Sequence, residues 1–185
     1  MLEDIYTEVK RKMDISLKKF MEELKRLRTG RASITLLEGV KVNYYGTETP
    51  LNQVANLAAP DPHLLVVQPW DPSLLPEIEK AIQRADLGLN PMNDGKIIRV
   101  PVPPLTEERR KELAKVVGKM AEEAKTAVRQ VRRMGNDEVK KLAKEKEISE
   151  DDEHRAYDKI QEITDSFIEK IEEAAKKKKE EILEV

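Results

Sequence analysis

From Lys125 to Asn136 the chain reads Lys-Thr-Ala-Val-Arg-Gln-Val-Arg-Arg-Met-Gly-Asn, four positive charges with no acid among them. On a helix with Val131 facing a core, successive residues turn by about 100°, which sets Arg132 near 100°, Arg129 near 160° and Arg133 near 200° from the core direction. The three guanidinium groups then leave one exposed side. Like charges one helical turn apart repel by a few tenths of a kcal/mol, so a ridge of them without acids points to an external anion. Arginine suits that task because it binds phosphate through two parallel N–H donors and stacks on bases. The competing reading is a solvated face neutralised by acids of a neighbouring helix. The two readings differ in whether carboxylates reach the guanidiniums.

A second basic group, Lys25, Arg26, Arg28 and Arg31, closes the first helical stretch, where the helix dipole alone favours cations. Catalytic constellations are missing from the sequence. Its two histidines, His63 and His154, lie far apart, and no cysteine is available for a thiolate nucleophile, a disulfide or a zinc site. No glycine-rich phosphate loop or nucleophile elbow is visible, and the paired acids Glu122 and Glu123 read as solvated helix positions. The expectation is a protein with no catalytic residue, no metal and no cofactor. Trp70 reads as a core anchor, and of the adjacent Tyr44 and Tyr45 on a strand one is expected to face a protein partner.

The element that carries the ridge begins after the proline-rich run Val100-Pro-Val-Pro-Pro104. Thr106 is a good N-cap, with Glu107 and Glu108 favourably placed on the dipole. Apolar residues then recur at helical spacing through Leu113, Val116, Val117, Met120, Ala124, Val128, Val131, Val139 and Leu142. Some 40 residues of helix would extend about 60 Å. Ser149 with Asp152 starts a further helix, whose stripe runs from Tyr157 through Ile160, Ile163, Phe167 and Ile171 to Ile182. At the other end of the chain, Leu2, Ile5, Val9, Met13, Leu17, Phe20, Leu24 and Leu27 form one uninterrupted stripe, and Gly30 stands where such a helix would end.

Between these stretches the composition changes. All ten prolines and five of the seven glycines fall from Gly30 to Pro104, and charge thins out. Ile34–Leu37, Val40–Tyr45, Val54–Ala58, Leu64–Gln68 and Lys96–Val100 read as short strands, with one helix capped by Ser73. The fold class is therefore α+β: residues 1–29 and 106–185 form a long three-helix bundle from both termini, and residues 30–105 form an inserted β/α/β domain. Its short connections, Gly30-Arg31 and Pro103-Pro104, would make a hinge.

With 34 basic and 36 acidic residues the chain is nearly neutral, but the charges are segregated: the insert holds six basic and eight acidic ones. A neutral bundle with one arginine ridge would bind phosphate locally without general stickiness. The N-terminus has no apolar leader and no run reaches the roughly 18 apolar residues of a membrane span, so no membrane and a cytoplasmic location are expected.

Leu27-Arg-Thr-Gly-Arg-Ala-Ser33, Pro50-Leu-Asn-Gln-Val-Ala-Asn-Leu57, Pro69-Trp-Asp71, Ala85-Asp-Leu-Gly-Leu-Asn-Pro91, Asp94-Gly95, Leu105-Thr-Glu-Glu-Arg-Arg110 and Val131-Arg-Arg133 together resemble the bacterial ribosome recycling factors, in order along essentially the whole chain. The resemblance implies an L-shaped monomer. It implies binding to the ribosome after peptide release, and separation of the subunits with elongation factor G and GTP, so that messenger RNA and deacylated tRNA leave. It further implies contact with large-subunit ribosomal RNA through Arg129, Arg132 and Arg133, with Arg110, Arg28 and Arg31 as additional contacts. One departure stands out: Met134-Gly135 replaces the family's usual Asp-Ala pair, and glycine disfavours helix by about 1 kcal/mol relative to alanine, so a local bend is expected there. The alternative of another class is a helical coiled-coil adaptor that binds no RNA.

Overall fold

The computed structural model describes residues 1–184. The chain forms two compact units, one made of Met1–Lys25 with Arg110–Glu184, the other of Arg26–Arg109.

The first unit contains α1 (Leu2–Lys25), most of α3 (Glu107–Lys144) and α4 (Glu150–Glu184). Its core is built from the expected stripes. Val9, Met13 and Phe20 of α1, Val117, Val128 and Val139 of α3, and Ile160, Phe167 and Ile171 of α4 are all buried. Both anticipated N-caps form. Thr106 Oγ1 accepts from Arg109 N at 3.1 Å, Ser149 Oγ accepts from Asp152 N at 3.0 Å, and the Asp152 carboxylate accepts in return from Ser149 N at 3.4 Å.

Two details of the stripes differ from expectation. α1 stops at Lys25 because the chain leaves it to bury Thr29 and Gly30 in the second unit, so Gly30, at φ +81°, is a connector residue and not the helix cap. On α3, Val116 is 40% exposed and Val131 only half-buried, whereas Gly135 is buried. A Cβ at Gly135 would lie 2.7 Å from Val9 Cγ2 and 3.4 Å from Ile160 Cδ1, so the missing side chain lets α1 and α4 approach the α3 backbone. α3 runs unbroken through Met134-Gly135.

The second unit holds a two-stranded hairpin, β1 (Lys41–Tyr44) with β2 (Thr47–Pro50), and a four-stranded antiparallel sheet. That sheet comprises β3 (Ala55–Asp61), β4 (Leu64–Pro69), β5 (Met92–Asn93) and β6 (Ile98–Pro101) in the order β3-β4-β6-β5. α2 (Leu75–Arg84) buries Leu75, Ile78 and Ile82 in the same core as Leu65, Val67, Ile98 and Val100. Ile34–Leu37, expected as a strand, is a 3-10 turn. Ser33 Oγ accepts from Thr35 N, and Leu37 is buried in the core. Asp71, not Ser73, supplies the cap ahead of α2, its carboxylate accepting from Ser73 N at 3.0 Å and Ser73 Oγ at 2.7 Å.

Trp70 is 62% exposed and does not anchor the core. The strand period explains this: Leu65, Val67 and Pro69 point inward, which puts Gln68 and Trp70 on the outer side. Tyr45 and Gly46 close the β1–β2 hairpin, both at positive φ, and Tyr45 is the more exposed of the edge-to-face tyrosine pair.

Candidate nucleic-acid interface

Recentring the α3 wheel on the residues that are buried, Val128, Gly135 and Val139, turns the core axis by about 60° from Val131. Arg132 then lies about 40° from that axis, Arg129 about 100° and Arg133 about 140°. Burial follows this order: Arg132 and Arg129 are half-buried and Arg133 is exposed. The ridge therefore leans toward α4 at Arg132 and opens to solvent at Arg133.

None of the three guanidiniums makes an ion pair among the described residues; Arg132 Nη1 instead donates to the amide oxygen of Gln161 on α4, at 3.4 Å. The acids that could have neutralised the ridge do not reach it. Lys125 behaves differently. Its ammonium sits 3.0 Å from Glu172 Oε1 and 3.3 Å from Glu122 Oε1 with only 13% of the side chain exposed, and the hydrogen bond to Glu172 above all raises its pKa. Of the four cations in the 125–136 run, Lys125 belongs to the α3–α4 packing, and the free ridge begins at Arg129.

Arg110 stands on the same helix, roughly 28 Å from Arg129 at 1.5 Å per residue. It is half-buried, and its Nε is buried without a hydrogen-bond acceptor. Arg28 and Arg31 lie in the second unit, where with Gly30, Leu36, Leu89 and Pro103 they line a cleft of about 70 Å³. The Arg28 guanidinium lies over Gly88, whose Cβ, if present, would be 2.9 Å from Nη1. That contact engages Arg28 inside its own unit.

Sequence reasoning passed over Gln161 because a glutamine amid charged helix residues carries no signal. Only the α3–α4 pairing brings it to the ridge. Gln161 Nε2 donates to Asp165 Oδ1 at 2.8 Å, one turn along α4. Among the described residues no helix is long and apolar enough to cross a membrane.

An α+β chain with helices from both ends of the sequence and a small sheet domain inserted between them in sequence, with a row of arginines that make no ion pair among the described residues, has the build of a translation factor, and the comparisons are consistent with that class. The sequence profile of the family described as "Ribosome recycling factor" matches residues 20–183, and the chain belongs to that family. It is 54% identical over 181 residues to the ribosome-recycling factor of Natranaerobius thermophilus, covering 98% of each chain. With that of Desulfosudis oleivorans it shares 51% over 185 residues, covering 100% of both. Among solved structures, the solution structure of a ribosome recycling factor superposes with a TM-score of 0.83 at 42% identity, over 100% of this chain and 98% of the other. The T. thermophilus ribosome recycling factor, described with E. coli elongation factor G bound to the E. coli post-termination complex, matches with a TM-score of 0.68 at 51% identity, over 99% of each chain.

Proposed function

We propose that this chain binds the post-termination ribosome and, with elongation factor G and GTP, separates the subunits so that messenger RNA and deacylated tRNA are released. Arg129, Arg132 and Arg133 grip the phosphate backbone of large-subunit ribosomal RNA, with Arg110, Arg28 and Arg31 as secondary contacts. The protein acts in the cytoplasm as a monomer and catalyses no reaction of its own.

The observation that carries this reading is the ridge: three arginines that make no ion pair among the described residues, on a protein otherwise rich in carboxylates. An adaptor that uses arginine only for solubility has no reason to keep its charges unpaired. The described assembly of the T. thermophilus relative with elongation factor G supplies the setting. The chain passes between its two units at Lys25–Arg26 and Arg109–Arg110, and Gly30, Arg31, Pro103 and Pro104 lie close by in sequence. We assign these connections the role of a hinge through which the translocase moves the small unit.

Cosedimentation with ribosomes tests the reading. The protein should pellet with the large subunit, and Arg132→Ala should weaken binding and flatten the slope of log K against log salt by about one unit. A folded variant that binds as tightly as the parent rules out the ridge. For the hinge, a pair of introduced cysteines with one member in each unit, oxidised to a disulfide, should preserve binding and abolish splitting; undiminished splitting removes the hinge from the mechanism.

A further inference from the structure

Arg132 reaches across to α4 and meets a neutral amide there. The amide's orientation is dictated by its other neighbour. A carboxylate can only accept hydrogen bonds, so Asp165 Oδ1 draws the NH2 of Gln161 to itself at 2.8 Å and turns Oε1 the opposite way, toward Arg132 Nη1 at 3.4 Å. Asp165 makes no ion pair with Arg132. The carboxylate thus acts on the guanidinium only through an intervening uncharged group.

We propose that Gln161 is a positioning residue for the arginine ridge, holding Arg132 in an extended, ordered conformation without neutralising it, and that Asp165 sets the amide for this purpose. The inference rests on the RNA-binding reading given above. An arginine held by a carboxylate would have to give up a charge-assisted pair before taking a phosphate. A freely rotating one would lose rotamer freedom on binding. An amide acceptor limits both losses: it restrains the chain and leaves the net charge and the remaining N–H donors for the ligand. Lys125, on the same two helices, shows the alternative outcome. Glu172 and Glu122 hold it, and its charge is spent internally.

The sharpest test is Gln161→Glu, which keeps the size of the side chain and adds one negative charge. Asp165 one turn away would repel the new carboxylate and push it onto Arg132. Salt-dependent binding of the full chain to purified large subunits is then measured for the parent, Gln161→Glu, Gln161→Ala, Arg132→Ala and the Arg132→Ala/Gln161→Glu double variant, with far-UV circular dichroism to confirm helix content. Gln161→Glu should lower the salt slope by about one unit and the affinity at 0.1 M salt by roughly sixfold, the counterion-release value of one phosphate contact. Gln161→Ala should leave the slope at the parental value, because the charge stays, and weaken binding only about two- to threefold. In the Arg132→Ala background Gln161→Glu should cost nothing further.

A sixfold loss that persists in that background would mean that the glutamate repels RNA directly, and the positioning role would fall. So would an unchanged slope for Gln161→Glu. If Arg132→Ala itself leaves binding intact, the ridge reading fails instead, and the positioning role fails with it. The two failures are distinguishable because only the second appears in the Arg132 single variant.

Discussion

Gly135→Ala measures how closely the three helices meet behind the ridge. On an exposed helix the change would stabilise by about 1 kcal/mol, since glycine is a poor helix former. Here the new methyl carbon would sit 2.7 Å from Val9 Cγ2 and 3.4 Å from Ile160 Cδ1. Val9 is 3% exposed and β-branched, so it has no cheap rotamer into which to retreat. Overpacking of this kind costs about 1–3 kcal/mol, which outweighs the propensity gain and leaves the variant less stable by up to about 2 kcal/mol. Val9→Ala alone should cost roughly 2 kcal/mol through the cavity it leaves. In that background the obstructing methyl is gone, and Gly135→Ala should turn stabilising by about 1 kcal/mol. The coupling between the two sites is then about 2 kcal/mol, well above the few tenths expected of independent positions. Urea unfolding followed by far-UV circular dichroism gives all four free energies. If Gly135→Ala stabilises the parent and the Val9→Ala variant equally, the helices do not approach as described.

Further expectations concern the start of α4 and the small unit. The Tyr157 hydroxyl donates to Glu153 Oε1 at 2.7 Å, and this bond above all pushes its pKa up to about 12. Because the folded value is raised above the ordinary 10.0, the stabilisation is complete below pH 10 and is lost as pH rises through about 12. Absorbance at 295 nm should show a late tyrosine that Tyr157→Phe removes; Tyr6 is also raised, chiefly by burial, so an unaltered late limb would assign the signal elsewhere. Ser149→Ala breaks the capping pair with Asp152 and should cost about 1 kcal/mol in urea unfolding, whereas Ser149→Asn should recover most of it. Trp70, the sole tryptophan, should emit at the wavelength of a hydrated indole and be quenched readily by iodide; blue-shifted, protected emission would put it back in the core.

What could be read from the residues was whatever has a local cause. The helices α1, α3 and α4 and the caps at Thr106 and Ser149 depend on spacing and side-chain chemistry within a few residues, and they form where that spacing puts them. The misses at β2, Trp70 and Gly135 depend on partners distant in sequence. β2, Thr47–Pro50, is a polar edge strand with no apolar alternation and is recognisable only beside β1. Trp70 is a large apolar residue whose direction is fixed by the register of β4, not by its type. Gly135 carries no hydrophobic signal, so the apolar pattern alone centres the core axis of α3 on Val131, about 60° from the axis that burial defines.

That rotation has a consequence for how the ridge works. With the axis on Val131, all three arginines would hang in solvent and their order would depend on the ligand alone. With the axis on Val128, Gly135 and Val139, Arg132 falls at the edge of the α3–α4 groove, within reach of whatever α4 presents there. α4 offers carboxylates at many of its outward positions, and one of them captures Lys125. At Arg132 it offers an amide. The positive charge left uncompensated on α3 is therefore set not by how many cations the helix carries but by which side chain the neighbouring helix brings to each of them. The same two helices hold one cation in an internal ion pair and set another beside a neutral amide.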